Sequence, residues 1–302
     1  MRLNALRALV AAVEEGSLRA AARRVGCSQP ALTKMVRELE REVAAPLLMR
    51  STTGVIATAQ GRVMYEQARK VERELAHAVS QIGQLGGHMV GELSIAAVPL
   101  AVLQLVPETL RTFGREFPQI DLRIREQLYV AQLSDLRRGE VDVVVGPIPE
   151  GLPPGEFHVE PLMPVSMVVV AGTGSPHAQV QSLHQLAGAR WVYTSIAGAT
   201  GYARLLFQRN GLQPPPAAAV VDSTLGLLSL VVTGEFLALM PLPIARHPAA
   251  QPFMTVLPLR EGGLELMVGA ITMADRALKP AVRHFLSHLH RAAHHATAAG
   301  AG

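Results

Sequence analysis

The chain has 302 residues, 49% hydrophobic and 17% charged, which is enough apolar material to bury the cores of two or three domains of a soluble protein. A single cysteine, Cys27, excludes an internal disulfide framework and suits a reducing compartment. The net charge of +4 is unevenly placed: residues 1–62 hold ten Lys/Arg against five acids, leaving the rest close to neutral, so the N-terminal module alone suits a polyanionic partner.

In chain order, Leu3, Leu6, Leu9, Val10 and Val13 predict a first helix that closes a small core and stops at Gly16. Ser17 caps a second helix carrying Leu18, Ala21, Ala22 and Val25, and Gly26 supplies the left-handed backbone that ends it. Ser28 caps a third, Gln29 to Val43. Pro30 falls in its first turn, where a missing N–H is harmless because those groups lack intrahelical partners. Leu32, Val36, Leu39 and Val43 make one apolar stripe, and Gln29, Thr33, Lys34, Arg37 and Arg41 occupy the remaining arc. Small alanines let the second and third helices cross closely, which is the logic of a helix-turn-helix with Gln29 to Val43 as recognition helix. A small helical bundle with a solvated charged face is the plainer alternative; it leaves the coincidence of turn glycine, cap, alanines and basic balance unexplained. Arg50 to Thr58 reads as a two-stranded wing turning at Thr53-Gly54, with Arg50, Thr52 and Thr53 in reach of sugar-phosphate.

Residues 3–85 resemble the N-terminal module of LysR-type transcriptional regulators. The matching stretch is ALRALVAAVEEGSLRAAARRVGCSQPALTKMVRELEREVAAPLLMRSTTGVIATAQG, with the spaced signatures E-x-G-S, A-A, S-Q-P-A-L-[ST], L-E-x-E and P-L-[LF]-x-R in order. The resemblance implies a winged helix-turn-helix, a dimerising linker helix and a C-terminal inducer-binding domain. The expected contacts to a double-stranded DNA operator are Gln29, Pro30, Thr33, Lys34 and Arg37 in the major groove and Arg50 and Thr53 at the flanking backbone, with Ser28 and Thr52 as further DNA-binding residues.

The linker is also legible from spacing. After Thr58, the expected N-cap, Met64, Ala68, Val71, Leu75, Ala78, Ile82 and Leu85 repeat at a mean of 3.5 residues, the period of a coiled-coil seam. Gly61 to Leu85 spans roughly 37 Å as a helix, and Gly86-Gly87 ends it. A helix buried within one chain is the alternative reading.

Beyond residue 90 strands alternate with helices. LSIAAV (93–98), a helix from Leu103 to Phe117, DLRIREQL (121–128), a helix from Gln132 to Arg138 and VDVVVG (141–146) form one unit. MVVVA, WVYTS (191–195), a helix around Tyr202 to Asn210, AVVDS (219–223), a helix around Leu225 to Thr233 and FLALMP (236–241) form a second. Chain crossings are expected near Pro161 to Ser166 and Arg260 to Val268. The expected fold class is therefore α/β with a helix-rich winged helix-turn-helix N-terminal domain. Its organisation is a DNA-binding domain at 1–60, a linker at 61–87 and a two-lobed, periplasmic-binding-protein-like effector domain at 88–302, with lobe I at 91–163 and 266–302 and lobe II at 164–265.

Parallel sheets bind ligands beyond the carboxyl ends of their strands. The resemblance continues through REFPQIDLRI, LRRGEVDVVVG, SLHQLAGARWV and the VDST and ALMP segments, and departs where it implies the effector cleft. The family commonly has a serine or threonine at the first strand-helix junction; here Val98, Pro99 and Leu100 follow Ala97, leaving backbone N–H groups to meet an anion. Phe236 replaces a usual glycine. The expected effector is a small, partly apolar organic anion held by Thr194, Ser195, Thr200 and backbone amides, with Tyr129 and Phe236 as walls and Ser223 and Thr224 at a further helix start. Each hydroxyl has a simple helix cap as its alternative role.

Enzyme motifs are weak or absent: there is no G-x-S-x-G, no Walker phosphate loop and no H-E-x-x-H, and GTG at 172–174 lacks dinucleotide-fingerprint spacing. No cofactor or metal is expected. His284, His288, His290, His294 and His295 read as a frayed surface tail, without the carboxylate or cysteine support of a metal site. A two-lobed solute-binding protein or small enzyme with an accessory basic domain is the other class of reading, opposed by the lack of signal-peptide and catalytic motifs. The expected protein is cytoplasmic, makes no membrane contact and works as a homodimer or homotetramer.

Overall fold

A computed structural model describes residues 1–51, 54–86, 89–127, 130–194 and 201–300. The chain divides into two compact units, Met1–Ile82 and Gly83–Gly302.

The first unit contains α1 (Leu3–Glu15), α2 (Leu18–Val25), α3 (Gln29–Glu42), β1 (Leu48–Ser51), β2 (Gly54–Ala57) and most of α4 (Ala59–Leu85). Ser17 and Ser28 cap α2 and α3 by accepting from Ala20 N at 3.4 Å and Ala31 N at 3.3 Å. Gly26, at φ 75°, turns the chain between them in the left-handed conformation that glycine adopts without a steric penalty. Ala8, Ala11 and Ala12 of α1 are buried against Ala21 and Ala22 of α2 and Leu32 and Val36 of α3, so small side chains do set the close crossings. Glu40 accepts from Leu47 N at 2.8 Å and Leu48 N at 3.1 Å, which fixes the start of the wing to α3. The wing strands pair antiparallel from Leu48↔Ala57 to Ser51↔Gly54. Thr58 caps α4, accepting from Gly61 N at 2.9 Å while donating to Pro46 O at 2.7 Å.

The second unit holds one nine-stranded sheet with the strand order β4-β3-β5-β11-β6-β9-β7-β8, and β10 beside β6. The strands are β3 (Gly91–Ala97), β4 (Ile120–Glu126), β5 (Val143–Pro147), β6 (Phe157–Gly172), β7 (Trp191–Thr194), β8 (Ala217–Val221), β9 (Leu237–Pro241), β10 (Met254–Val256) and β11 (Leu264–Met273). Its helices are α5 (Pro99–Gln104), α6 (Val106–Glu116), α7 (Val130–Arg137), α8 (Tyr202–Arg209), α9 (Thr224–Val231), α10 (Leu242–Ala245) and α11 (Pro280–Gly300). Strands β3, β4 and β5 run parallel in lobe I, as do β7, β8 and β9 in lobe II.

Two expectations need correction. The helix expected from Leu103 is two helices broken at Leu105, because Pro107 in the first turn of α6 lacks the N–H that a continuous helix would use. The crossings between lobes fall near the expected positions, within two long antiparallel strands, β6 and β11, paired from Leu264↔Met167 to Met273↔Phe157 with a register shift between Val268 and Gly269. Pro161 and Pro164 are accommodated in β6 because it pairs with β11 on one side there and gains β9 on the other only from Met167 onward. The histidine-rich C-terminal segment is not a surface tail. It is α11, which buries Phe285, Leu286, Leu289 and His288 against the lobe I core.

Candidate functional site

On α3, Gln29, Pro30, Thr33, Lys34, Arg37 and Arg41 line one open strip, while Leu32, Val36 and Leu39 on the opposite face are buried. Thr33 donates its hydroxyl to Gln29 O at 2.9 Å, and Lys34 and Arg41 flank Glu38 at 4.0 Å each. Gln29 and Arg37, two turns apart, are exposed on this strip, and Arg37 has no ion pair among the described residues. Ser28 acts as the cap that aims the helix N-terminus. Arg50 is paired through its backbone with Val55 in the wing, and Thr52 and Thr53, including the expected turn, lie outside the described residues.

One element the sequence did not reveal ties α4 to this module. Glu14 on α1 receives Arg24 of α2 at 2.6 Å, Arg69 of α4 at 2.7 Å and the Tyr65 hydroxyl of α4 at 3.0 Å. Burial pushes the Glu14 carboxyl up, but the hydrogen bonds from Arg24 and Tyr65 and the charge of Arg69 outweigh it and hold it below the usual range. The expected seam is corrected at its start: Ala68 is 1% exposed and Met64 packs beside it against Leu6, Leu9 and Leu47, so both belong to the module's own core. Further along, Val71, Leu75, Ala78 and Ile82 are exposed, joined by Val79 at 71%. The side chain of Leu85 lies outside the described residues.

The geometry of the cleft between the lobes follows from strand register. The carboxyl end of β5 reaches Val268 of β11, which opposes Met163 of β6, while the carboxyl end of β9 reaches Met167 of β6. Four residues of β6, ~13 Å of strand, therefore separate the carboxyl edges of the two lobes. Thr194 ends β7 on this edge and lines a crevice with Met167, Tyr193, Tyr202, Arg204 and Leu239. Arg204 is half-buried and makes no ion pair among the described residues; its guanidinium stands 5.9 Å from the Tyr193 ring. Tyr202 is pushed up to about 12 by burial and by the Glu150 charge, so its hydroxyl stays protonated. Ser223 and Thr224 start α9 at the carboxyl end of β8, and the Ser223 hydroxyl accepts from Gly226 N at 3.0 Å as a cap. Tyr129, Ser195 and Thr200 lie outside the described residues.

Two expected contributions are corrected. The amide cradle after Ala97 is smaller than expected: Val98 N donates to Val145 O at 3.0 Å and Pro99 has no N–H, so neither offers a donor to an anion. Phe236 precedes the amino end of β9, the rim away from the cleft, where the Arg190 guanidinium lies 4.3 Å over its ring and pairs with Glu235 at 2.6 Å. Arg204 was missed, although it left a signal. It is a cation in the first turn of α8, where the helix dipole disfavours positive charge unless an anion compensates.

Residues 3–62 match the family described as bacterial regulatory helix-turn-helix protein, lysR family, and residues 86–294 match the LysR substrate binding domain. The chain belongs to the LysR family and is a DNA-binding transcriptional regulator of that type. It is 26% identical over 246 residues to the HTH-type transcriptional regulator TdcA of Escherichia coli strain K12, covering 81% of this chain and 78% of that one. It is 28% identical to the HTH-type transcriptional regulator TfdS of Cupriavidus pinatubonensis over 294 residues, 95% of this chain and 97% of that one. These relatives are regulators, not enzymes. In fold it is similar to full-length CbnR in complex with its target DNA, with a TM-score of 0.72 at 22% identity over 97% of this chain and all of that one. No helix among the described residues is long and apolar enough to cross a membrane.

Proposed function

We propose that this regulator reads a double-stranded operator with Gln29, Pro30, Thr33, Lys34 and Arg37 in the major groove, and that Arg50, Thr52 and Thr53 anchor the wing to the flanking backbone. The domain division follows, with residues 1–60 on DNA, 61–87 as linker and 88–302 as effector domain. The protein works in the cytoplasm as a homodimer, or as a homotetramer built from two dimers, through a seam that starts at Val71.

The effector is a small organic anion bound between the lobes. The observation that carries this reading is Arg204, a half-buried guanidinium without an ion-pair partner among the described residues, lining one crevice with Thr194 and the protonated Tyr202. A desolvated guanidinium favours a planar carboxylate, which it binds through paired N–H groups. Calorimetric titration with aromatic and aliphatic carboxylates tests the reading. Binding of at least one of them, weakened about tenfold or more by Arg204→Gln, is expected; tight binding by cationic or neutral compounds alone would refute it.

A further inference from the structure

Two glutamines at the carboxyl edge of lobe I have their amide orientation fixed by hydrogen bonds. Gln132, on α7, is fully buried, and its Nε2 donates to the Gln127 carbonyl at 2.6 Å. Gln127 follows β4, and its Nε2 donates to Asp135 Oδ2 at 3.1 Å, while Arg138 holds the other oxygen of that carboxylate. A carbonyl and an ionised carboxylate only accept, so neither amide can be turned over. Gln127 Oε1 and Gln132 Oε1 are thereby left as buried acceptors with no donor among the described residues. Buried acceptors are normally paired, because an unpaired one carries its full desolvation penalty.

Their location connects them to the cleft. A Cβ placed on Gly146, at the carboxyl end of β5, would lie 3.5 Å from Gln132 Oε1 and 2.9 Å from Val98 Cγ1. Gln132 Oε1 therefore sits at the carboxyl ends of β3 and β5, on the edge that faces lobe II. Gly146 brings no side chain against it, and the neighbouring group there is the Val98 side chain.

We infer that the effector carries a hydrogen-bond donor, a hydroxyl or amino group, on the end that meets lobe I, and that Gln132 selects for it. This rests on the cleft being the effector site, and it adds an orientation and a ligand class. The two edges are chemically opposed, with a cation and hydroxyls in lobe II and orphaned acceptors in lobe I. A carboxylate placed against Gln132 Oε1 would meet oxygen lone pairs, so the acid group points to Arg204. The ligand class is a hydroxy- or amino-substituted organic acid.

The test is calorimetric titration of the full chain and of Gln132→Leu with matched compounds: benzoate against 3- and 4-hydroxybenzoate, hexanoate against 6-hydroxyhexanoate, and the neutral phenol and 1-hexanol. At least one hydroxy acid is expected to bind the wild type about tenfold or more tighter than its parent, the worth of one buried acceptor finding its donor. In Gln132→Leu that ratio is expected to fall to about one. Leucine removes an orphaned acceptor and also the donor to the Gln127 carbonyl, so the thermal midpoint is recorded beside the binding ratio and does not decide it; if the variant fails to fold, Gln132→Met gives the same readout. Equal binding of parent and hydroxy acid by the wild type, or a preference that survives the substitution, would overturn the inference and leave the acceptors to water. Acids that bind without donor preference sink the inference and spare the organic-anion reading. Neutral hydroxyl compounds that bind through Gln132 when no acid binds sink the organic-anion reading and the acid half of the ligand class, and spare Gln132 as the selector of a donor. Binding by none of these probes overturns both.

Discussion

Glu14 and Arg69, 55 residues apart in sequence, meet at 2.7 Å and fasten the linker helix to the first helix of the DNA-binding module. Arg24 shares the same carboxylate at 2.6 Å, so one acid sets the geometry of three helices. Glu14→Gln should lower stability by about 1 kcal/mol at pH 7, a modest figure because the site is partly screened by solvent. The Glu14 pKa is lowered by folding, so this contribution is fully present above the ordinary carboxylate value of 4.5 and is lost as pH falls below it. Urea unfolding of both proteins across that range checks the prediction: the gap should be present at pH 7 and shrink in acid.

His288 should make the effector domain acid-sensitive. It is 3% exposed, with Nδ1 2.8 Å from Thr112 Oγ1 and Nε2 3.1 Å from Glu116. Burial and the neighbouring Arg291 charge push its pKa down, against the pull of Glu116. A histidine whose folded value is depressed binds protons more readily when unfolded, so stability holds above 6.5 and declines as pH falls through that value toward the folded one. His288→Gln should flatten this decline. Thermal unfolding between pH 8 and 5.5 that shows the same slope in both proteins would remove His288 as its source.

The exposed stripe Val71, Leu75, Val79 and Ile82 on α4 predicts self-association. Leu75→Glu with Ile82→Glu should convert the protein to a monomer at micromolar concentration in light scattering, because each of the two helices would bring two unpaired charges into the seam. An unchanged mass would place the interface elsewhere.

Gly61 is required by packing. A Cβ there would strike the Leu47 carbonyl, which is backbone and cannot step aside. Gly61→Ala should lose about 1–3 kcal/mol, read by urea unfolding, although alanine is the better helix former; unchanged stability would show that the α4 start can shift.

Local signals were readable in the sequence where they are decided locally. Ser17, Gly26, Ser28 and Pro30 act within a turn of their own backbone, so the helix-turn-helix and its exposed arc could be named. The effector cleft was harder, because it depends on which end of a strand a residue meets. Phe236 has cleft-like chemistry but sits at the amino end of β9, whereas Arg204 and Gln132 are single residues whose meaning comes from partners they lack or hold across the fold. His288 was misplaced for the same reason: nothing near it in sequence reports Thr112 and Glu116.

The most direct test of the central claim, that the exposed strip of α3 reads an operator, compares wild type, Arg37→Ala and Arg50→Ala. Each is titrated with a duplex selected by the wild-type protein from a random pool and with its scrambled version, over a salt series. Arg37→Ala should lose about 1–3 kcal/mol on the selected duplex and lower the selected-to-scrambled ratio, as expected for a guanidinium at a base edge. Arg50→Ala should weaken both duplexes alike and reduce the salt slope by about one, as expected for a phosphate contact. A selected-to-scrambled ratio that Arg37→Ala leaves unchanged would contradict the account.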